Sequence, residues 1–266
     1  MRHAILAAAC IALLSSPAPA QDNPLTQSPS WQDMKFDVLG DRPVSEAPAP
    51  FAVTAPYRAA DAAMVPLEIT QTDPAVPINA ATIVIDENPA PVAARLQFSP
   101  AMLPLDFALN LRVNQYSNVR VIGETPQGLF MAGRFVKASG GCSAPAGGDA
   151  AQALAAMGQM RLDMADGGAQ VSTPRRTAEI MIRHPNYSGL QRDQITQLFI
   201  SAHFIDHLEV WQGDEMLFSL DGGISISEDP VFRFAYTENG APTLKVIATD
   251  TEGNTFTREL PKLAEG

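Results

Sequence analysis

One residue combines reactive chemistry with an unusual setting: Cys142, in Ser139-Gly140-Gly141-Cys142-Ser143. A thiolate is nucleophilic and forms exchangeable S–S bonds. Gly140 and Gly141 lack side chains, so the backbone before the cysteine is slim and bends readily. Residues 139–149 contain four glycines and a proline, which predicts a flexible surface segment. An enzymatic nucleophile must be held rigidly beside its base and its stabilising donors. A cysteine on a glycine segment suits a covalent carrier better. Cys142 is the candidate functional residue, with Ser139, Gly140, Gly141 and Ser143 as its loop, and no catalytic residue is assigned. The bland alternative is an incidental thiol in a linker.

Other chemistry-bearing residues give weaker patterns. His203 and His207 have the i, i+4 spacing of helical metal ligands, but Phe199-Ile200 and Leu208-Glu209-Val210-Trp211 around them read as strand. Structural or surface histidines are the expectation, and no metal site is assigned. His184 precedes Pro185 and is expected to order a turn; a Cys142–His184 dyad stays open at this level. No phosphate loop or other cofactor motif is visible, and the glycine segment ends in Asp149, which would repel a phosphate. Met157, Met160 and Met164 are expected on the packing face of a helix.

These residues must be positioned by strands. Residues 57–138 read as all-β. Short apolar runs occur at 64–69, 81–85, 92–98, 119–123 and 129–136. In residues 105–113 every odd position is apolar, while Asp106, Asn110 and Arg112 fall on even ones; period two marks a half-buried strand. Residues 171–266 repeat the pattern, with runs at 178–182, 199–210, 215–220, 231–236 and 244–248 and turns at Asp221-Gly222-Gly223 and Glu238-Asn239-Gly240. Residues 139–170 hold the cysteine loop and a helix expected over 149–162. Residues 21–56 read as a short helix, with Ser30 as a weak N-cap, followed by a Pro/Ala-rich linker over 41–56.

Residues 1–20, MRHAILAAACIALLSSPAPA, place a basic start, an apolar run and a small-residue cleavage pattern in the order of a signal peptide. The run is shorter than the ~20 residues of a membrane span. A soluble, exported and, in a bacterium, periplasmic protein is expected. Cys10 would leave with the leader, making Cys142 the single thiol, unable to form an internal disulfide. The 266 residues carry a formal charge of -11, with 18 basic against 29 acidic side chains. A chain this acidic is repelled by nucleic-acid and anionic-membrane phosphates.

The residues also resemble a known family. Phe135 to Cys142 closes a β region with Gly-Gly-Cys as the Y subunit of the SoxYZ thiosulfate-oxidation carrier does, and Glu87-Asn88-Pro89 resembles that subunit's Asn-Pro turn. Met181-Ile182-Arg183-His184-Pro185 with Ser188-Gly189-Leu190, and Gly223 to Pro230 followed by Phe232-Arg233-Phe234, resemble the Z subunit. The order is Y-like then Z-like over about residues 57–260. The chain is most similar to fused SoxYZ-like carriers associated with quinoprotein dehydrogenases. The resemblance implies two immunoglobulin-like β-sandwiches, joined by the cysteine loop and a short helix. It implies that Cys142 holds a thiosulfate-derived sulfur while partner enzymes act on it. In the separate Y subunit the Gly-Gly-Cys arm ends the chain. Here Ser143 stands in place of the usual glycine and the chain continues, so the cysteine is expected on a doubly tethered loop. A second reading is a non-covalent scaffold that docks on a periplasmic dehydrogenase.

Overall fold

The computed structural model describes residues 23–45, 47–145, 147, 150–165 and 174–262. The leader at 1–20 and Gly167-Gly168, expected to end the linker helix, lie outside them.

The first half begins with helix α1 (Pro29–Leu39). Seven strands follow: β1 (Phe51–Thr54), β2 (Val65–Gln71), β3 (Ala80–Ile85), β4 (Val92–Phe98), β5 (Asp106–Leu111), β6 (Ser117–Thr125) and β7 (Gly128–Val136). After the cysteine loop come α2 (Ala150–Ala155) and β8 (Met160–Met164). The second half then adds β9 (Arg175–Ile182), β10 (Ile205–Gln212), β11 (Glu215–Gly222), β12 (Val231–Thr237), β13 (Thr243–Asp250) and β14 (Thr255–Pro261). Strands are dictated by alternation: β2 and β5 each bury every second residue, and β13 does the same.

The two halves share both layers. One sheet runs β1-β2-β5-β12-β9-β8 and the other β14-β13-β10-β11-β4-β3-β6-β7. Each crosses from the first half to the second by an antiparallel pairing. Leu109, Ala108 and Phe107 of β5 face Phe232, Arg233 and Phe234 of β12. Phe98 to Ala94 of β4 face Phe218 to Gly222 of β11. The two immunoglobulin-like sandwiches thus meet edge to edge, and each covers strand edges that the other would expose. A single apolar core runs through the seam. The rings of Phe98, Phe107, Phe218, Phe234 and Tyr236 form a chain of contacts with centroids 5.1–5.8 Å apart, the spacing of favourable aromatic pairs.

Four expectations are corrected. Residues 41–56 are not all linker: Phe51 and Val53 are buried, and β1 pairs with β2. The helix expected over 149–162 is cut to α2, and Met160–Met164 is a strand paired with β9. Met160, Leu162 and Met164 pack on the core while Arg161 and Asp163 are exposed, so the methionine spacing belonged to a two-residue period. The α1 cap is Ser28, whose Oγ accepts from Trp31 N at 3.1 Å, not Ser30. Of the 199–210 run, the strand holds only the part from Ile205 onward; Phe199 is exposed.

Candidate functional site

The cysteine loop lies where the halves meet. Past Leu111 the chain leaves β5, and Val113 and Asn114 offer their carbonyls to Gly141 N (3.2 Å) and Gly140 N (2.8 Å). Gly140 adopts φ of +80°, which favours glycine. At Gly141 a Cβ would fall 2.1 Å from the Ala62 carbonyl oxygen, so a glycine is required for the close approach. Ser143 is exposed; its N and Oγ both donate to the Gly140 carbonyl, at 3.1 and 3.3 Å. Ser139 is exposed as well.

The second half fastens the other side. Ser188 Oγ–H donates to the Cys142 carbonyl, and Gln191 Nε2–H donates to the Ala144 carbonyl at 3.0 Å. Glu228 accepts from Gly147 N at 2.9 Å. Among the described residues these bonds fasten the segment at several points, so it is not free along its length as expected, although Ser139, Ser143, Pro145 and Gly147 are exposed. Cys142 is 0% exposed. The reason lies in partners 46 to 81 residues away along the chain, which no local composition announces.

Burial pushes the Cys142 thiol up to about 11, against the pull of the nearby Arg112 charge. In this closed position the cysteine is a protonated thiol at neutral pH and a poor nucleophile. Arg112 is itself buried at 1% exposure. Its Nη1 donates to the carbonyls of Asn186 (2.7 Å) and Ile226 (2.6 Å), both in the second half. Its Nε has no hydrogen-bond partner among the described residues. Burial lowers its pKa, while Cys142 and Glu228 raise it; it stays charged at any ordinary pH. A buried guanidinium bonded to carbonyls supplies the cation that a thiolate or an anionic adduct on Cys142 would need. Arg112 also lines a cavity of about 400 Å³ whose outer wall includes Ala144, Pro145 and Gly147 of the cysteine loop.

Asn88 keys this corner. Its Nδ2 donates to the Arg112 carbonyl and to Ser225 Oγ, each at 2.8 Å, and its Oδ1 accepts from Asn114 N at 2.8 Å. The Asn-Pro turn seen in the sequence thus positions both Arg112 and the carbonyl that holds Gly140.

The histidines separate. His203 lies beside His184, not His207: both aim Nε2 at Asp250 Oδ2, at 2.8 and 3.3 Å. Their three ligand-type atoms lie within 4.8 Å of one another. However, Asn186 N–H donates to His184 Nδ1 at 3.0 Å, so the His184 proton sits on Nε2 and is donated to Asp250. That tautomer has no Nε2 lone pair for a metal. The cluster is a hydrogen-bonded tie, and it orders the turn at Pro185. With both ring nitrogens engaged, His184 is not a base for Cys142. Burial would raise the Asp250 carboxyl, but bonds from Asn254, His203 and His184 outweigh it and hold it at about 2. His207 bridges Asp221 (2.7 Å) and Glu209 (3.4 Å) on another face.

Sequence reasoning missed Arg112 and Gln191 as site residues. Arg112 fell on the outward phase of the 105–113 alternation. Ser188 was singled out in the Z-like motif without its role.

Fold and site define a class: two edge-paired immunoglobulin-like β-sandwiches that lodge one glycine-flanked cysteine at their junction. The family model "Sulfur oxidation protein SoxY" matches residues 35–142 and ends on the cysteine; "Sulphur oxidation protein SoxZ" matches residues 168–261. Together they cover most of the chain, which belongs to the SoxYZ-like proteins with both domains fused in Y–Z order. Members of both families are sulfur carriers and not enzymes, acting in sulfur oxidation with enzymes of that process. Among solved structures, the sulfur carrier protein SoxY from Chlorobium limicola f thiosulfatophilum is 25% identical, with TM-score 0.34, over 41% of this chain and 94% of that one. Comparison with curated proteins finds no match.

Proposed function

We infer that this protein is a periplasmic carrier that holds a sulfur intermediate covalently on Cys142 and presents it to partner enzymes. The observation that carries the reading is the placement of Cys142: after Gly140-Gly141, on the last residue of the SoxY match, beside the buried Arg112 cation. With thiosulfate as cargo, the Cys142 thiol and the sulfane sulfur lose two electrons and one proton and form an S–S bond. The electrons pass to a partner's redox centre, in a sulfur-oxidation enzyme or a quinoprotein dehydrogenase system. Attack of water on the terminal sulfonate then releases sulfate and a proton and leaves a persulfide on Cys142. The chain contributes the thiol, the cation and shelter; the partners supply the electron sink and the activated water. Because the closed thiol is protonated and buried, loading requires the loop to lift, which returns the thiol toward its ordinary pKa of 9.0. The leader-like residues 1–20 support export.

Burial of Cys142 favours a second reading, a non-covalent scaffold docking on a periplasmic dehydrogenase. One measurement separates the two: intact mass of the protein from its producing cells, with and without reductant. The carrier reading expects a chain lacking the leader and a reductant-labile adduct that tracks thiosulfate supply and is absent from Cys142→Ser. An unmodified thiol under every supply, with function retained in Cys142→Ser, establishes the scaffold.

A further inference from the structure

The segment from Tyr187 to His203 is a hairpin standing off the second half. Bridges at Tyr187–His203 and Arg192–Phe199 close it, with Ile200 N donating to the Gln191 carbonyl at 2.9 Å. Its tip turns on Asp193, whose Oδ1 accepts from Ile195 N and Thr196 N. That tip carries bare apolar side chains: Ile195 is 92% exposed, Leu198 69% and Phe199 61%. Seven large apolar side chains are exposed among the described residues, and three of them fall within these five positions. Such a cluster contributes nothing to the core and marks a contact surface.

The base of the same hairpin holds the cysteine loop. Ser188 and Gln191 grip the carbonyls of Cys142 and Ala144, and Gln191 Oε1 also accepts from Ser188 N at 3.0 Å. Tip and base are linked directly. Arg192, next to Gln191, bridges Phe199 and lays its guanidinium 4.0 Å from that ring's centroid. Behind the base, His203 is tied to Asp250.

We propose that hairpin 187–203 is the docking handle for the enzyme that processes the cargo, and that seating its tip unfastens the Cys142 loop. The proposal rests on the carrier reading. The fitting partner offers an apolar recess with a basic rim. The chain's charge of -11 asks for that rim, as do Asp61, Glu228 and Asp229 around the cavity beside the loop. Burying three large apolar side chains outweighs the two hydrogen bonds by which the hairpin grips the loop. Drawing Phe199 into the recess carries Arg192, and with it Gln191, away from Ala144. The thiol is then freed where a partner is present and stays covered elsewhere.

Two full-length variants test this. Ile195→Ser with Leu198→Ser removes two of the three apolar side chains of the tip; Ser188→Ala with Gln191→Ala removes the grip. Iodoacetamide alkylation of purified protein at pH 8 reads the grip without a partner. The tip variant is expected to match wild type, and the grip variant to react about fivefold faster or more, the effect of one ordinary hydrogen bond. Intact mass from thiosulfate-grown cells reads docking: wild type carries the reductant-labile adduct and the tip variant has lost it. A tip variant with the wild-type adduct level overturns docking and leaves the carrier reading standing. Wild type with no adduct overturns the carrier reading and this proposal with it. A tip variant that alkylates faster than wild type makes the tip a cover, and a grip variant with unchanged alkylation removes the latch; either result overturns the proposal.

Discussion

At the scale of single residues, the Cys142–Arg112 pair sets when the thiol reacts. The thiol's pKa is raised from 9.0 to about 11 by burial, so the closed loop is fully favoured below pH 9 and loses that support as pH climbs toward 11. Alkylation of the native protein should therefore rise steeply across pH 9–11. Arg112→Met removes the charge that favours the thiolate and should move the profile upward, whereas Arg112→Lys keeps it near wild type. A profile unchanged in Arg112→Met would make Arg112 a seam staple alone. Asp250 works with the opposite sign. Its carboxyl is held at about 2 against an ordinary 3.8, so its support is complete above about pH 4 and is lost as pH falls through 2. Asp250→Ala should lower Tm at neutral pH, with the gap from wild type narrowing at pH 2 and below in thermal scans.

At the scale of elements, α1 is tied to the outer face of β6. Trp31 is buried with Val84, Ile122 and Leu129, and Arg120 places its guanidinium 4.6 Å from the Trp31 ring centroid. The same guanidinium pairs in bidentate fashion with Asp86, at 2.7 and 2.8 Å, and neither side chain reaches solvent appreciably. Arg120→Ala strands the Asp86 carboxylate and should cost about 3–5 kcal/mol in denaturant unfolding. Elements also show what local pattern can reveal. Val92–Phe98 is legible to the residue, because its turn and its apolar run are both local. β8 was hidden because an Ala-rich start promises helix by propensity while its packing is decided by pairing with β9. The same limit hid Arg112. Alternation turns it outward from one sandwich, and only the second half of the chain, 74 to 114 residues away, covers it. The cysteine and its glycines were legible by type; their closed seat was not, since its walls are long-range.

At the scale of the whole molecule, both sheets and the core are continuous across the halves. Phe218 sits in that seam, 5.2 Å from Phe107 of the first half and 5.1 Å from Phe234 of the second, between ring centroids. Phe218→Ala should cost about 3–5 kcal/mol, and calorimetry should show one transition displaced to lower temperature. Two separate transitions would mean that the halves fold as independent units.

The edge pairing of β4 with β11 and of β5 with β12 lies within one polypeptide, so closing the seam is a unimolecular event. Dilution cannot part the cysteine from the residues that cover it. Every molecule synthesised delivers its thiol and its cover at fixed one-to-one stoichiometry. The shielding of Cys142 should be as complete at trace expression as at abundance.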